Sequence, residues 1–500
     1  MRSRADAAAR ASMAGMWLAG RVFAMLLAPL MLAGALVVPA QAAVAWGGCA
    51  QLLGDRPLIA TAQCGTVAVD GAELAVIRVP ASGERIGILM VNPGGPGASA
   101  VDTVADMGTA LADTEIGRRF DLVGFDPRGI GYSTPQLRCR TDADIDAYRR
   151  EPMVDYSPTG IAHIEDVYRW FGQRCLDQLG APFLAGLGTD TAADDMDTVR
   201  AALGEEQLSY LGFSYGTALG TAYAERYPDR VRAMVLDGAL DPAVDPIERN
   251  IAQLAGFQGV FDEYATDCAR SPACPLGTDP AAFVSRYHEL IDPLVQRPGA
   301  TSDPRGLSYS DAITGTANAL YSKRYWPYLT SGLLGLAHGT DAGDLLMLAD
   351  NYLGRDADGR YSSQQDAFTA IRCADGRFSP DPAVWVDADR RTRAAAPFLE
   401  YGSFTGYAPR DICALWPVSS TREPHPAVSP GPGKVIVVST TRDPATPYQA
   451  GVNLAAQLQA PLVTFEGSQH TVVFNGDACV DTSVLAFLTD LTQPPPGLRC

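Results

Sequence analysis

The sequence predicts an α/β fold, a mostly parallel sheet carrying a large helical insertion. Three observations point to it. Short apolar runs alternate with helical patterns from residue 65 to about 244, residues 245 to about 430 keep helical periodicity without strong strands, and strand-like runs resume after 431. Runs that are apolar on both faces suit strands buried in a parallel sheet rather than strands with one wet face. The chain has 500 residues, 47% of them hydrophobic and 19% charged, so it is globular and long enough for one fold with an insertion.

Taken in order, residues 1–42 read as an export signal. Arg2, Arg4 and Arg10 precede an apolar run at 22–38, and "PAQAA" offers an Ala40-x-Ala42 cleavage site. The competing reading is an uncleaved anchor, since a membrane span needs roughly 20 apolar residues. With the signal removed, no stable membrane insertion is expected, and the mature chain belongs outside the cytosol, secreted or in the periplasm or cell envelope. Its ten cysteines are then expected to form disulfides. Local spacing suggests Cys49 with Cys64, Cys139 with Cys175, Cys268 with Cys274, Cys373 with Cys413, and Cys479 with Cys500, with connectivity left open by the sequence. A metal site is the alternative, but no Cys-x-x-Cys occurs and no histidine stands at ligand spacing from a cysteine pair. No metal and no cofactor are expected.

The first part of the core is assigned to residues 43–244. "GTVAVD" and "LAVIRVP" form a hairpin, and "IGILMVN", "FDLVGFD", "LSYLGFS" and "AMVLDG" follow as buried strands. Between them, "TDTAADDMDTVRAALG" is a helix opened by Thr and Asp cap candidates and closed on Gly204. Residues 245–430 form the helical cap insertion, ending in the Pro-rich linker "STREPHPAVSPGPG". The core resumes at 431–500 with strand "KVIVVST", helix "YQAGVNLAAQLQ" and strand "PLVTFEG". A net charge of −18 argues against a nucleic-acid partner, which would need a basic patch.

Gly212-Phe213-Ser214-Tyr215-Gly216 matches G-x-S-x-G between a strand and a helix, where a nucleophilic serine takes a strained turn too tight for neighbouring β-carbons. A serine hydroxyl needs a base. In an α/β-hydrolase the order along the chain is Ser, acid, His, with the base after the last strand. Of the five histidines only His470 lies there; His163 precedes the serine, His288 and His338 fall in the insertion, and His425 is in the linker. Asp443, after "VIVVSTTR", is placed to orient the imidazole, although Asp-Pro also starts turns and caps helices. The only lysines, Lys323 and Lys434, lie far from the serine in this layout, which disfavours a Ser-Lys dyad. Two backbone N–H donors must meet the developing oxyanion, and losing one costs about 3 kcal/mol of barrier. Tyr215 supplies one; in "VNPGGPGAS" the second is assigned to Gly95, with Gly94 as the neighbouring possibility.

These segments together, "NPGGPGAS", "DLVGFDPRGIGYSTP", "LSYLGFSYGTALG", "STTRDPATP" and "GSQHTVVF", resemble the secreted α/β-hydrolase peptidases of the tripeptidyl aminopeptidase group, relatives of the proline iminopeptidases. The similarity runs from residue 46 to the C-terminus and includes "AIRCADGR" and a TAP-like C-terminal segment. It implies an α/β-hydrolase fold with a helical lid and a serine exopeptidase acting on peptides with free N-termini. Pro93 stands where the iminopeptidase branch carries His before its Gly-Gly-Pro-Gly, which favours the tripeptidyl group. Within the same pattern, Asp126 and Arg128 of "DPRG" look structural, an ion pair or a turn under the sheet edge. An N-terminal ammonium needs a carboxylate, for which Asp375 is the candidate; its bland reading is a solvated acid in a turn with Gly376. The other readings are an esterase, lipase or thioesterase using the same triad, and a noncatalytic binding protein on this fold. Residue preference, whether one or three residues are removed, the physiological substrate and the oligomeric state are left open.

Overall fold

The computed structural model describes residues 43–54, 56–420 and 422–500, so the export-signal segment lies outside the described residues. Nine strands form one sheet in the order β1-β2-β3-β5-β4-β6-β7-β8-β9. They are β1 (Ala45–Gly47), β2 (Gln63–Val69), β3 (Ala72–Val79), β4 (Gly87–Asn92), β5 (Phe120–Phe125), β6 (Leu208–Phe213), β7 (Val231–Asp237), β8 (Val435–Thr440) and β9 (Leu462–Phe465). β1, β2 and β3 run antiparallel, with β3 antiparallel to β5, and every pairing from β5 through β9 is parallel. The hairpin and all six later strands read from the sequence are present.

Parallel strands need helical crossovers, so both faces of the sheet are covered and each strand is apolar on both sides. In β6, Leu208 and Tyr210 face the layer formed by helices Thr189–Ala202, Tyr215–Arg226 and Tyr448–Leu458, while Leu211 faces helices Ala100–Ala110 and Ala478–Asp490. β4 divides the same way, with Ile88 and Met90 on one side and Leu89 and Val91 on the other. Burial of each such aliphatic side chain contributes about 1.5–3 kcal/mol.

The described residues between β7 and β8 hold helices and no strand of the sheet, and they build a second apolar core around Phe261, Tyr264, Tyr287, Leu329 and Phe398. A second, earlier stretch joins this cover. Helix Asp142–Arg150 is tied to it by Arg149, whose guanidinium lies 2.7 Å from Asp311 and 2.6 Å from Asp350. Arg140 reaches Asp366 at 2.7 Å, and Arg410 donates to Glu165 of helix Pro158–Leu179. The cap therefore comprises two stretches of chain, separated by β6, β7 and the helices around them. Long-range ion pairs could not be read from local periodicity.

All five cysteine pairs expected from spacing are formed. Such bridges belong to oxidising compartments. No helix among the described residues is long and apolar enough to cross a membrane.

One local expectation is corrected, and of the ion pair or turn read at Asp126 and Arg128 the turn is the one formed. Helix Thr189–Ala202 has Gly188 at its N-cap and no cap from its own side chains; the Thr189 N–H instead donates 2.7 Å to the Asp375 carboxylate, from the far side of the cap. Asp126 and Arg128 do not pair with each other. Arg128 makes a two-pronged pair with Asp195, both N–O distances 2.8 Å, whereas buried Asp126 accepts from Ser99 Oγ and from the amides of Val101 and Tyr132. Burial pushes the Asp126 carboxyl up to about 7 against those donors. Its bonds fix the start of helix Ala100–Ala110, immediately after the glycine turn.

Removing a partner from a buried ion pair strands the other charge, which costs about 3–5 kcal/mol. Arg149→Ala, which leaves buried Asp311 without its guanidinium while half-buried Asp350 keeps Arg305, is expected to destabilise the protein by this order, read as a lower denaturation midpoint; Arg118→Ala, in a half-exposed pair with Glu115, is expected to change it little.

Candidate active site

The C-terminal ends of β4, β6, β7, β8 and β9 lie along one rim of the sheet, and each contributes to one site. After β6, Ser214 adopts φ 55° and ψ −121°, the strained conformation of a nucleophile presented on a tight turn. The flanking glycines are sterically required. A β-carbon on Gly212 would lie 2.4 Å from the Gly216 carbonyl oxygen, and one on Gly216 would lie 2.7 Å from that of Asn92. The glycines serve the turn, and the turn aims the serine.

After β8, Asp443 is fully buried and holds His470 Nδ1 at 2.9 and 3.0 Å through its two oxygens. The same carboxylate accepts from the amides of Ala445 and Thr446 and from the Thr446 hydroxyl, so it also makes a turn. The next helix, Tyr448–Leu458, starts beyond these bonds with Pro447 at its N-cap, so Asp443 does not cap it. Burial works to lower the His470 pKa, but the Asp443 carboxylate outweighs it and holds the imidazole above its ordinary value, with Asp237 adding to the effect. The ring stands against the end of β7, its Cε1 3.2 Å from where a β-carbon on Gly238 would be. Among the described residues the Ser214 hydroxyl makes no hydrogen bond, so the relay is formed on its Asp–His side and open on its Ser–His side. Nucleophile–base contacts commonly tighten only when substrate is bound.

The glycine turn after β4 separates the two oxyanion-donor candidates. The Gly94 N–H is already donated to the Asn92 side chain at 3.0 Å, and a β-carbon on Gly94 would meet Phe213 O at 2.5 Å and Ser214 Cβ at 2.9 Å. Gly95 has no hydrogen-bond acceptor for its N–H among the described residues and lines the cavity beside Ser214. Tyr215 is the first residue of its helix, so its N–H has no partner within the helix. The available pair is therefore Gly95 and Tyr215.

This cavity, about 450 Å³, is walled by the cap. Asp375 lines it, but its charge is already engaged: it accepts from the Thr189 amide and hydroxyl and pairs with Arg422 at 3.2 Å. Through Thr189 it connects to the Tyr215 hydroxyl, 2.7 Å from Thr189 Oγ1. His425, assigned to a linker, lines the same cavity, bonded to Glu225 at 3.2 Å; the segment 422–425 is a wall rather than a tether. His163 and His288 pair with Glu151 and Asp292, and His338 is exposed at the end of a cap helix.

Three contributors escaped the sequence reading. Asp237, the last residue of β7, is wholly buried; its backbone carbonyl accepts the Ser214 N–H at 2.9 Å, and its Oδ2 accepts the amides of Val472 and Val473 at 2.7 and 2.8 Å. Its Oδ1 is buried without a partner among the described residues, and burial pushes this carboxyl up to about 6. Tyr321, from the cap, accepts the His470 N–H on its carbonyl at 3.0 Å and sets its ring edge-on to the imidazole, centroids 5.4 Å apart. Gln253, on cap helix Pro246–Cys268, donates to the Ala445 carbonyl at 2.7 Å and so braces the acid turn. Only the acid in "VLDG" had a sequence signal, a carboxylate at the end of a buried strand.

Residues 87–477 match the family model described as the alpha/beta hydrolase fold. The chain is 61% identical over 476 residues to "Carboxylesterase B" of Mycobacterium tuberculosis, covering 93% of this chain and 91% of that protein. It is 49% identical to "Serine protease Hip1" of the same species, covering 91% of each. It is 30% identical to "Tripeptidyl aminopeptidase" of Streptomyces lividans, covering 90% of this chain and 85% of that protein.

A base must be neutral to accept a proton, so the acid limb of kcat/KM follows the His470 pKa. Asp237→Asn removes a negative charge that raises that pKa while keeping an acceptor oxygen, and is expected to move the acid limb to lower pH. Asp237→Ala strands two buried amides, at about 1–3 kcal/mol each, and is expected to lower kcat as the His470 loop loosens. The pH profiles of both variants check this.

Proposed function

Because the chain belongs to the α/β-hydrolase family, we propose that it is an exported serine hydrolase that works through an acyl-enzyme on Ser214 and removes short peptides from the free N-termini of peptide substrates. One observation carries the chemistry: a buried Asp443–His470 pair stands on the same sheet rim as a serine in a strained turn that opens into a capped cavity. His470 takes the Ser214 proton as Oγ bonds to the scissile carbonyl carbon. The resulting oxyanion is met by the amides of Gly95 and Tyr215. His470⁺ then protonates the leaving nitrogen as the C–N bond breaks, and water, deprotonated by the same imidazole, releases the acid.

The exopeptidase form is supported by the cap, which limits the cavity to small substrates, and by likeness to relatives named as a serine protease and a tripeptidyl aminopeptidase. Asp375 lends it no support, because its charge is paired with Arg422. A second reading, a carboxylesterase, is favoured by the relative of that name at 61% identity and by this engaged carboxylate.

Fluorophosphonate labelling of the folded protein is expected at Ser214 and to be absent in Ser214→Ala, with turnover at least about a thousandfold lower in the variant. Matched N-terminally free peptide amides, acetylated amides and short acyl esters, followed by mass spectrometry, separate the two substrate readings. Cleavage of free-ended amides supports the exopeptidase; turnover confined to esters replaces it with the esterase, and an unlabelled serine overturns both.

A further inference from the structure

The charges lining the catalytic cavity are nearly all matched. Arg372 pairs with Asp411 at 2.8 Å, Arg422 with Asp375 at 3.2 Å, Glu423 with Arg377, and His425 with Glu225 at 3.2 Å. Arg249 is different. Its guanidinium makes no hydrogen bond and no ion pair with any described residue, although it lines the cavity that holds Ser214. It occupies the first turns of cap helix Pro246–Cys268. One helical turn further along, Gln253 lines the same cavity while bonding the acid turn. The neighbouring acid on that helix, Glu248, is turned away and pairs with Arg391. Desolvation pulls the Arg249 pKa down, with Asp375 and Asp245 opposing and Arg372 and Arg422 adding to it. A partly desolvated cation among two other guanidiniums is unfavourable unless something supplies the counter-charge.

We infer that Arg249 is a substrate-recognition residue that gives the catalytic cavity a preference for substrates bearing a carboxylate close to the scissile bond. A guanidinium offers a planar fork that a carboxylate meets with two parallel hydrogen bonds, which fixes orientation as well as charge. With the anionic groups of the wall already neutralised, the uncompensated charge in the cavity is positive. This inference rests on the proposed acyl transfer at Ser214 and narrows its substrates. The carboxylate has two possible sources, an acidic side chain or the C-terminus of a short peptide, and both present the same group to Arg249.

The test uses the mature protein and three matched short peptides: a Gln peptide with an amidated C-terminus, its Glu counterpart with the same amidated end, and the Gln peptide as the free acid. A carboxylate on one of the two sources is expected to raise kcat/KM about tenfold or more over the neutral peptide, as charge-assisted hydrogen bonds allow. That ratio is expected to fall to about one in Arg249→Gln and to be partly kept in Arg249→Lys. Which peptide gains identifies the source. No gain with either carboxylate, or the same gain in Arg249→Gln, overturns the inference. A measurement needing no variant guards against misfolding: N-acetylglutamate α-amide is expected to slow fluorophosphonate labelling of Ser214 more than N-acetylglutamine amide, with glutarate as the arm for a terminal carboxylate. Equal protection by charged and neutral compounds counts against Arg249. If peptides are not cleaved but Ser214 labels, the same contrast read on dicarboxylate monoesters against neutral esters tests Arg249 separately from the peptidase reading.

Discussion

One residue at the end of β7 ties the catalytic parts together. The Asp237 main chain receives the Ser214 amide, and its side chain receives two amides directly after the imidazole loop. The nucleophile turn and the base loop come from segments more than 250 residues apart, yet both are registered against this strand end. Gly238 N–H then donates to Val438 O at 3.1 Å, which links that register to the strand carrying the acid turn. A buried carboxylate in this place is costly to desolvate, and its raised pKa reflects that cost. The cost is borne where it fixes the geometry of the proposed acyl transfer, at a candidate functional site.

The cap is part of the same machinery. Tyr321 holds the His470 backbone, Gln253 holds the acid turn, and helix Gln364–Asp375 packs on the glycine turn so closely that a β-carbon on Gly97 would come within 2.6 Å of the Gln364 carbonyl oxygen. Asp375 caps the helix Thr189–Ala202 from this same cap helix. Substrate access and triad geometry are therefore coupled through the cover, rather than the cover being a lid laid over a finished site. The disulfides Cys139–Cys175 and Cys373–Cys413 each close a loop within one cap stretch, while the stretches are joined by ion pairs, Arg140–Asp366 and Arg149–Asp311, and by an apolar cluster that packs Phe171 against Trp416.

Charge decides what the site can hold. Asp375, an acid beside a cysteine bridge in the insertion, is the sequence's candidate partner for an N-terminal ammonium. It faces the cavity, but Arg422, 47 residues later, arrives from a segment that sequence periodicity marked only as a linker. The residue left without a partner is a cation on a different helix. Pairing of this kind is invisible along the chain, because what matters is which of several arginines within reach spends its charge on which acid.

The sequence by itself determined the strands of the sheet, the strand–turn–helix setting of Ser214, and which cysteines stand close enough along the chain to be expected as pairs. Each of these is local: continuous apolar runs of strand length, glycines about a serine, and short separations between cysteines are properties of contiguous segments. Only the tertiary structure decided that Gly95 rather than Gly94 keeps a free amide, that residues before β6 help build the cap, and that Asp375 is neutralised while Arg249 is not. Those outcomes follow from hydrogen bonds and ion pairs between segments far apart in the chain, and such pairings are selected by distance and burial in space, which no stretch of sequence contains.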